Sequence, residues 1–169
     1  MLDVIVTISA DTPAAWVAQC LASVQRARAN ASYPIRIVEQ PGVPGHVGRA
    51  MVQGFARTTA PYVTWVDDDD WVLPNAFSCL TPHFGLQPAA ICAREIQYAS
   101  NGSVELCEQR HHLSAWRRDV VARAPLAEHR ASTLPVLFEQ AGDAVADEMS
   151  WVYMRRIRYS GAAKLRGTV

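Results

Sequence analysis

The sequence contains few cysteines, one lysine and no long apolar run. The cysteines are widely spaced and form no C-x-x-C pair, so we expect neither a zinc site nor a disulfide framework. They are Cys20, Cys79, Cys92 and Cys107. No apolar run approaches the ~20 residues that span a membrane, and the first apolar segment has no basic leader. These absences predict reduced core cysteines, no membrane span, no signal peptide and a cytoplasmic location.

The chain also lacks an excess of charge. Its 169 residues carry sixteen basic and sixteen acidic side chains, so no basic excess is available to neutralise phosphates. Nucleic acid is therefore not expected as a partner. The length and the 50% hydrophobic content predict one globular domain over residues 1–169. Fifteen of the sixteen basic residues are arginines, whose forked guanidinium suits diphosphate groups.

The first half of the sequence predicts an α/β fold. Strands are predicted over residues 2–8, 34–39, 62–66 and 89–98, and helices from residue 13, over 47–57 and over 73–84. The first helix is expected to have Asp11 or Thr12 as N-cap and Pro13 at its first position. The strand–helix–strand order indicates a right-handed βαβ unit with a parallel sheet.

The second half adds an antiparallel part. Asn101-Gly102 between two strand-like runs predicts a hairpin that returns through residues 104–109. A short strand and then a helix are predicted within residues 113–121, and a helix over 132–140. A longer helix is predicted over residues 143–158, with arginines near its C-terminal end, where cations are favoured. Residues 160–169 are expected to be frayed.

Four consecutive aspartates, residues 67–70, directly follow an apolar strand and are here named the acidic segment. Adjacent carboxylates repel each other by roughly 1 kcal/mol per pair even in bulk water. A hard divalent cation such as Mn²⁺ or Mg²⁺ would relieve this repulsion, because such ions take oxygen ligands. The alternative is an acidic surface turn without a ligand.

Three predicted strands end in polar residues at the same edge of the sheet. These ends are Ser9, Glu39 and the acidic segment. Ligands of open α/β sheets bind outside the carboxyl ends of the strands. A glycine-rich loop at residues 42–48 leads to Arg49 and a helix N-terminus, which favours anions. It lacks the P-loop and dinucleotide spacings, and alone it is typical of a connecting loop. Together these features predict a nucleotide-diphosphate site.

Residues 44–74 resemble the family 2 glycosyltransferases of the GT-A fold. The resemblance rests on a glycine–arginine helix, then an apolar strand, then an aspartate-rich segment followed by a proline, in that order. It implies a GT-A-like three-layer α/β/α sandwich whose sheet is mainly parallel with an antiparallel hairpin. It also implies metal-dependent, inverting transfer of a sugar from a nucleotide-diphospho-sugar, a UDP-sugar being expected. The acceptor would be the hydroxyl of a carbohydrate or another molecule.

The resemblance assigns the acidic segment to the metal and the donor. Asp69 would be the main ligand of Mn²⁺ or Mg²⁺. Asp67 would contact the donor ribose or the metal, and Asp70 would orient and complete the metal set. Asp68 occupies the family's variable position on the donor side.

The resemblance also assigns donor contacts outside the acidic segment. Thr7 and Ser9 would line the pocket for the nucleotide base, and Arg49 would lie near the base or the diphosphate. Glu39 stands where the family has an aspartate that contacts the base. The following residues, Gln40-Pro41-Gly42, depart from the family's usual sequence.

The catalytic base is expected in a paired carboxylate that opens a helix running to an arginine. Asp147 and Glu148, followed by Arg155, are similar to that segment, although the pair is inverted and the arginine spacing differs. Either carboxylate would act as the base, with Glu148 slightly favoured. The alternative is a pair of ordinary acidic residues in the first turn of a helix.

Further alternatives stay open at this level. His111 and His112 either supply an extra metal ligand or form a surface or core-edge pair. Four tryptophans either form a sugar-stacking platform or belong to the core, namely Trp65, Trp71, Trp116 and Trp151. Nucleotidyl transfer is disfavoured, because no glycine- and arginine-rich loop follows the first strand. The remaining alternative is a non-catalytic sugar-nucleotide or carbohydrate-binding module of the same fold.

Overall fold

A computed structural model describes residues 1–107, 112–124, 134–142 and 144–157. In these ranges eight strands form one sheet: β1 Leu2–Ile8, β2 Ile35–Pro41, β3 Tyr62–Asp67, β4 Trp71–Val72, β5 Ala90–Ala99, β6 Val104–Cys107, β7 Ser114–Arg117 and β8 Val145–Ile157. The helices are α1 Ala14–Ala29, α2 Val47–Ala56, α3 Arg118–Arg123, α4 Leu134–Ala141 and a 3₁₀ helix at Ser78–Leu86. Within the described ranges, no helix is both long and apolar enough to cross a membrane.

The sheet has the strand order β2-β1-β3-β7-β5-β8-β4, with β6 beside β5. Its three longest ladders, β5–β8, β1–β2 and β1–β3, are parallel. Strand β7 is antiparallel to both β3 and β5, so β5 and β8 run in the same direction as β3. The predicted mainly parallel sheet and the antiparallel hairpin β5–β6 are confirmed. The carboxyl ends of β1, β2, β3, β5 and β8 therefore share one edge of the sheet.

Alternate residues of β1 face opposite layers of the domain. Val4 and Val6 pack in a cluster with Val24 of α1 and Leu80 of the 3₁₀ helix. Ile5 packs in a second cluster, to which α2, α3 and α4 contribute. Two apolar clusters on the two faces of one sheet form the predicted three-layer α/β/α sandwich.

Helix α2 lies very close to the sheet because Gly54 has no side chain. A Cβ atom at Gly54 would meet the Ile5 Cγ2 atom at 2.6 Å. The indole N–H of Trp65 also donates to the Met51 carbonyl at 3.3 Å. These contacts fix α2 on the sheet and place its first turn, which contains Arg49, at the carboxyl edge of the strands.

The predicted helix over residues 73–84 is a 3₁₀ helix at Ser78–Leu86. Pro82 lies inside it and has no N–H to donate, which disfavours a continuous α-helix. Helix α1 begins at Ala14 with Pro13 in the N-cap position, and no side chain caps it, so the prediction of an Asp11 or Thr12 cap was wrong. Residues 108–111, 125–133, 143 and 158–169 lie outside the described residues, and with them the predictions about His111 and the frayed terminus.

The predicted helix over residues 143–158 is wrong, because Val145–Ile157 forms strand β8. Its apolar residues Trp151, Val152 and Tyr153 are consecutive rather than spaced by three or four. β-Branched and aromatic residues favour strands, and a strand covered on both faces is apolar in succession. Strand β8 pairs with β5 on one side and β4 on the other, so sheet pairing outweighs the weak helical pattern.

Asp3 connects three segments at the amino edge of the sheet. Its carboxylate accepts two hydrogen bonds from the Arg36 guanidinium, at 2.9 and 2.8 Å. It also accepts the backbone N–H groups of Thr59 and Ala60 at 2.6 and 2.8 Å. Burial opposes the charge, but the Arg36 hydrogen bond and the two backbone donors outweigh it, and the pKa of Asp3 is lowered. Asp3 therefore holds β1, β2 and the start of β3 together.

Candidate metal and donor site

The carboxyl edge of the sheet brings together several residues that the sequence assigns to the donor. In the parallel ladders, Thr7 is paired with Gln40 on one side and Asp67 on the other. Ser9 follows β1, and Glu39 lies near the end of β2 with its side chain exposed. The strand ends predicted to form one site therefore do lie at one edge.

Asp68 ties two loops of this edge to each other. It is buried, and its two oxygens accept hydrogen bonds from the Ser9 N–H at 2.7 Å and from the Thr12 hydroxyl at 3.0 Å. The carboxylate thus fixes the turn after β1 against the turn after β3. Its oxygens are used for structure, although the sequence had assigned Asp68 to the donor.

Asp67, Asp70 and His112 form a compact group of potential metal ligands. One ligand atom of each residue lies within 4.8 Å of those of the other two. Asp67 and Asp70 were predicted as metal ligands, and His112 was one of the alternatives left open. Asp69, the predicted main ligand, is not a member of this group among the described residues.

Asp70 is buried and accepts two hydrogen bonds. Its Oδ2 atom accepts the Tyr153 hydroxyl at 2.8 Å, and its Oδ1 atom accepts the Arg156 backbone N–H at 2.7 Å. Burial, followed by the charge of Asp67, raises the pKa of Asp70 to about 7, although the Arg156 N–H opposes the shift. A carboxylate in this environment is stabilised by a nearby cation.

His112 is held by a buried carboxylate. Its Nδ1 atom lies 2.6 Å from the Glu95 Oε2 atom, and its Nε2 atom lies 3.5 Å from the Asp67 Oδ2 atom. Burial opposes the charge of Glu95, but hydrogen bonds from His112 and Gln97 lower its pKa to about 2. If Nδ1–H donates to Glu95, Nε2 presents a lone pair towards another acceptor, Asp67. A contact between two acceptor atoms needs a proton or a cation between them. Metal-binding histidines commonly donate the N–H of their other ring nitrogen to a carboxylate, as His112 can to Glu95.

The group fits a transition-metal dication. Half of the Asp67 side-chain surface is exposed, so a ligand can reach it. The protein around this carboxyl raises its pKa by desolvation; His112 opposes the shift, while Asp69 and Asp68 add to it. Two carboxylates and an imidazole form a mixed oxygen and nitrogen set, which favours Mn²⁺ over Mg²⁺ because Mg²⁺ takes mainly oxygen ligands.

Arg156 holds the acidic segment from the side of α1. Its guanidinium lies 4.2 Å from the ring centroid of Trp16 and 5.0 Å from that of Trp71. Its Nε–H group donates to the Asp69 carbonyl at 2.9 Å, and its Nη2 atom donates to Gln19 at 2.9 Å. These cation–π contacts therefore use Trp71, which the sequence offered as part of a sugar platform or as core, together with Trp16 of α1.

Arg49 is exposed in the first turn of α2. The neighbouring glycine loop contains Gly45 in a left-handed conformation (φ +71°), and a Cβ atom there would meet nothing within 4 Å. The helix N-terminus and the guanidinium give this side of the edge a positive character. This arrangement suits an anionic part of a donor.

Asp147 and Glu148 lie in the amino half of β8. The register between β5 and β8 shifts around Arg94, where residues 148–150 form a bulge. Glu148 contacts His83 of the 3₁₀ helix at 2.8 Å and accepts the Ser150 N–H and hydroxyl at 3.0 and 2.6 Å. Asp147 is exposed. Among the described residues, neither base candidate belongs to the ligand group of Asp67, Asp70 and His112.

A cavity of about 530 Å³ lies at the amino edge, where β1 and β3 begin. Tyr33, Tyr62 and Phe84 line it together with Arg117. Size alone would favour this cavity as a ligand site, but none of the carboxylates at the carboxyl edge lines it. We therefore place the candidate site at the acidic segment.

The sequence did not identify three residues that shape the site: Glu95, Tyr153 and Arg156. The sequence contained a signal for Glu95, because it is an acidic residue between Arg94 and Ile96 in a predicted strand whose first five residues are apolar. The other two were assigned to a helix, in which no relation to the acidic segment is apparent. Their roles depend on the pairing of β8 with β5 and β4.

With this geometry described, comparisons with known proteins identify the family. The model of the family named glycosyl transferase family 2 matches residues 5–141. The chain belongs to this family. The resemblance found in residues 44–74 is thereby confirmed and extends over most of the described fold.

Solved structures support the same fold. S. aureus TarS 1–349 in complex with UDP-GlcNAc has a TM-score of 0.66 at 11% identity, covering 97% of this chain and 61% of that one. A second crystal structure of S. aureus TarS 1–349 has a TM-score of 0.62 at 11% identity, covering 92% of this chain and 60% of that one. The chain thus spans about three fifths of the length of these structures. A comparison with curated protein sequences found no match.

Proposed function

We propose that the chain transfers a sugar from a nucleotide-diphospho-sugar to an acceptor hydroxyl, with inversion and with a divalent cation. The observation that supports this most is the group of Asp67, Asp70 and His112 at the carboxyl edge of the sheet, in a member of glycosyl transferase family 2. In the GT-A-like fold this edge is where a nucleotide donor is expected. The acceptor is a carbohydrate or another hydroxyl compound.

The proposed cation is Mn²⁺, or Mg²⁺ as the alternative. Asp67, Asp70 and His112 would hold it, and Asp69 stays a sequence-derived candidate. A bound dication neutralises the charge of a leaving diphosphate. This chain's own contribution is to keep the ligands in place, through Glu95 on His112 and through β8 on Asp70.

The proposed donor is a UDP-sugar. TarS was solved in complexes with UDP and with UDP-GlcNAc, which supports this nucleotide for a related fold. Thr7, Ser9 and Glu39 would contact the base. Asp67 would contact the ribose or the metal, and Arg49 the base or diphosphate.

We expect UDP with Mn²⁺ to stabilise the folded protein, and chelation of the metal to abolish this effect. A ligand at 100 times its Kd stabilises by about 2.7 kcal/mol, which thermal or urea unfolding detects readily. GDP and dTDP serve as nucleotide controls and should stabilise less. Equal stabilisation by UDP with and without a chelator would contradict the proposed metal dependence. If none of the nucleotides stabilised the protein, the proposal of a nucleotide-diphospho-sugar donor would be contradicted.

Glu148, or Asp147, is proposed as the catalytic base on the strength of the family resemblance. The two variants to compare are Glu148→Gln and Asp147→Asn. In the variant that removes the base, we expect the rate of sugar transfer to fall about 10²- to 10⁴-fold, while UDP and Mn²⁺ bind as before. The measurement is sugar transfer from UDP-sugars, with nucleotide binding in parallel. Glu105→Gln, an exposed acidic residue of β6, is the control. If both variants transferred sugar normally, neither residue would be the base.

A second candidate function is donor binding without turnover. It is favoured by one observation, namely that the Glu148 carboxylate is already bound by His83 and Ser150 and lies outside the ligand group. This non-catalytic module would bind a nucleotide-sugar and Mn²⁺ but release no nucleotide from UDP-, GDP- or dTDP-sugars. Turnover by the wild-type protein would exclude it.

A further inference from the structure

We infer that Tyr153 is the positioning residue of the proposed metal centre, setting the arrangement of its three ligands. This inference rests on the proposed function, since it concerns the same cation. No pattern in the sequence pointed to Tyr153 as part of a site. Its role follows from the contacts that one buried side chain makes.

Tyr153 contacts each member of the ligand group. Its hydroxyl donates to the Asp70 Oδ2 atom at 2.8 Å and accepts the Asp67 backbone N–H at 3.2 Å. Its ring stacks on the His112 imidazole with centroids 5.0 Å apart and planes 13° apart. The hydroxyl thus links the two carboxylate residues, and the ring packs against the imidazole of the third ligand.

The position of Tyr153 leaves it little freedom. The side chain is fully buried, and Tyr153 is in register with Glu95, the residue that binds the other side of His112. A tyrosine hydroxyl has one hydrogen to donate, and here it is directed to Asp70. Because Arg156 holds the other Asp70 oxygen, the carboxylate plane is fixed from two sides. Ligands held in this way bind metal with less reorganisation.

Removing only the hydroxyl separates this role from ordinary packing. In Tyr153→Phe the ring stays in the core and on His112. The Asp67 N–H loses its acceptor, however, and the Asp70 carboxylate is then held only on its Oδ1 side, by the Arg156 N–H. Two other tyrosines provide matched controls, because their hydroxyls also donate to single protein atoms. Tyr33 donates to the Phe77 carbonyl at 2.7 Å, and Tyr62 donates to the Pro88 carbonyl at 3.0 Å.

The experiment is a calorimetric titration with Mn²⁺ alone, on the full chain, for the wild type, Tyr153→Phe, Tyr33→Phe and Tyr62→Phe. We expect Tyr153→Phe to bind Mn²⁺ about 10- to 100-fold more weakly, the range typical of residues that orient metal ligands. The two control variants should bind within twofold of the wild type. Electron paramagnetic resonance of bound Mn²⁺ should also change for Tyr153→Phe and not for the controls. Urea unfolding checks that each variant is folded.

Each outcome bears on the inference. If Tyr153→Phe binds Mn²⁺ like the wild type, or if the controls weaken binding equally, Tyr153 does not position the ligands. If the wild type itself binds no Mn²⁺, the metal centre in the proposed function fails, and the inference fails with it. If Tyr153→Phe does not fold, a wild-type structure with Mn²⁺ decides. Asp70 should then bind the metal while still accepting the Tyr153 hydroxyl, and an Asp70 turned away from Tyr153 would overturn the inference.

Discussion

Replacing Asp67 by asparagine is expected to weaken Mn²⁺ binding by about 100-fold or more. Removing one unit charge a few ångströms from a dication costs on the order of 4 kcal/mol per unit of ionic charge at an effective dielectric constant near 20. Each 1.4 kcal/mol is a factor of ten in affinity, so 100-fold is a conservative expectation. Asp67 suits this test better than Asp70, because its side chain is half exposed, whereas Asp70 is buried.

The loss can be measured through stability. At a Mn²⁺ concentration 100 times the wild-type Kd, binding stabilises the folded state by about 2.7 kcal/mol. A 100-fold weaker Kd leaves about 0.4 kcal/mol at the same concentration. Urea unfolding of the wild type and Asp67→Asn, with and without Mn²⁺, gives both values directly.

Asp69→Asn and Asp119→Asn complete the experiment. Asp119 is paired with Arg117 and Arg123 and takes no part in the ligand group, so its variant should keep the full effect of Mn²⁺. The Asp69 variant tests which ligand set is correct. The family resemblance makes Asp69 the main ligand, whereas the geometry groups Asp67, Asp70 and His112. Loss of Mn²⁺ stabilisation in Asp69→Asn together with its retention in Asp67→Asn would show that the cation binds elsewhere in the acidic segment.

Asp3→Ala is expected to lower the free energy of unfolding by about 3–5 kcal/mol, because each buried donor left without its acceptor costs about 1–3 kcal/mol. The buried carboxylate accepts four hydrogen bonds, and its loss leaves two backbone N–H groups without that acceptor. Arg36→Ala should lower the stability less, because Arg36 is half exposed. In that variant the Thr59 and Ala60 N–H groups still donate to the Asp3 carboxylate. Equal losses in the two variants, measured by urea unfolding, would contradict the central role of Asp3.

The same residue gives a pH dependence with a defined sign. The pKa of Asp3 is lowered in the folded state, so its charge stabilises the fold at pH values above the unfolded pKa of about 3.9. This contribution is lost as the pH falls through the folded pKa. The difference in stability between the wild type and Asp3→Asn should therefore be constant from pH 7 to 5 and shrink below about pH 4. A difference that stayed constant down to pH 2 would exclude this linkage.

The parallel half of the fold could be predicted because its signals are local. Strand β1, strand β3 and helix α2 each have an apolar pattern of one period, bounded by proline, glycine or acidic residues. The family resemblance lay in this same half. Strand ends at one edge follow from parallel pairing alone, so the acidic segment and the end of β1 could be placed together without coordinates.

The last strand could not be predicted in the same way. The run Trp151-Val152-Tyr153-Met154 is apolar without a clear period, and such runs fit a buried helix as well as a strand. The choice depends on pairing with β5, about 60 residues earlier, which no local pattern contains. The bulge that holds Glu148 depends on the same register.

The metal group shows the same limit. The sequence marked Asp67 and Asp70 as ligands and left His112 between two interpretations. The observations that support His112 as a ligand are its contact with Glu95 and its stacking on Tyr153, which lie 17 and 41 positions away in sequence. Asp68 is the converse case. Its carboxylate accepts a hydrogen bond from Ser9, 59 positions earlier in the sequence. Asp68 therefore stabilises the fold, although it lies within the acidic segment.

The position of β8 also has a consequence for the order in which the molecule is assembled. The contacts of Tyr153 with Asp67 and Asp70 join residues 86 and 83 positions apart, and β8 is the last strand of the described chain. During synthesis, segments near the N-terminus fold first, and distant contacts form only after the entropy of closing a long loop is overcome. The nascent chain can form its strand–helix–strand half before the ribosome has released β8. Tyr153 can order the proposed ligand group only when β8 enters the sheet, so binding of the proposed cation would be a late step in folding.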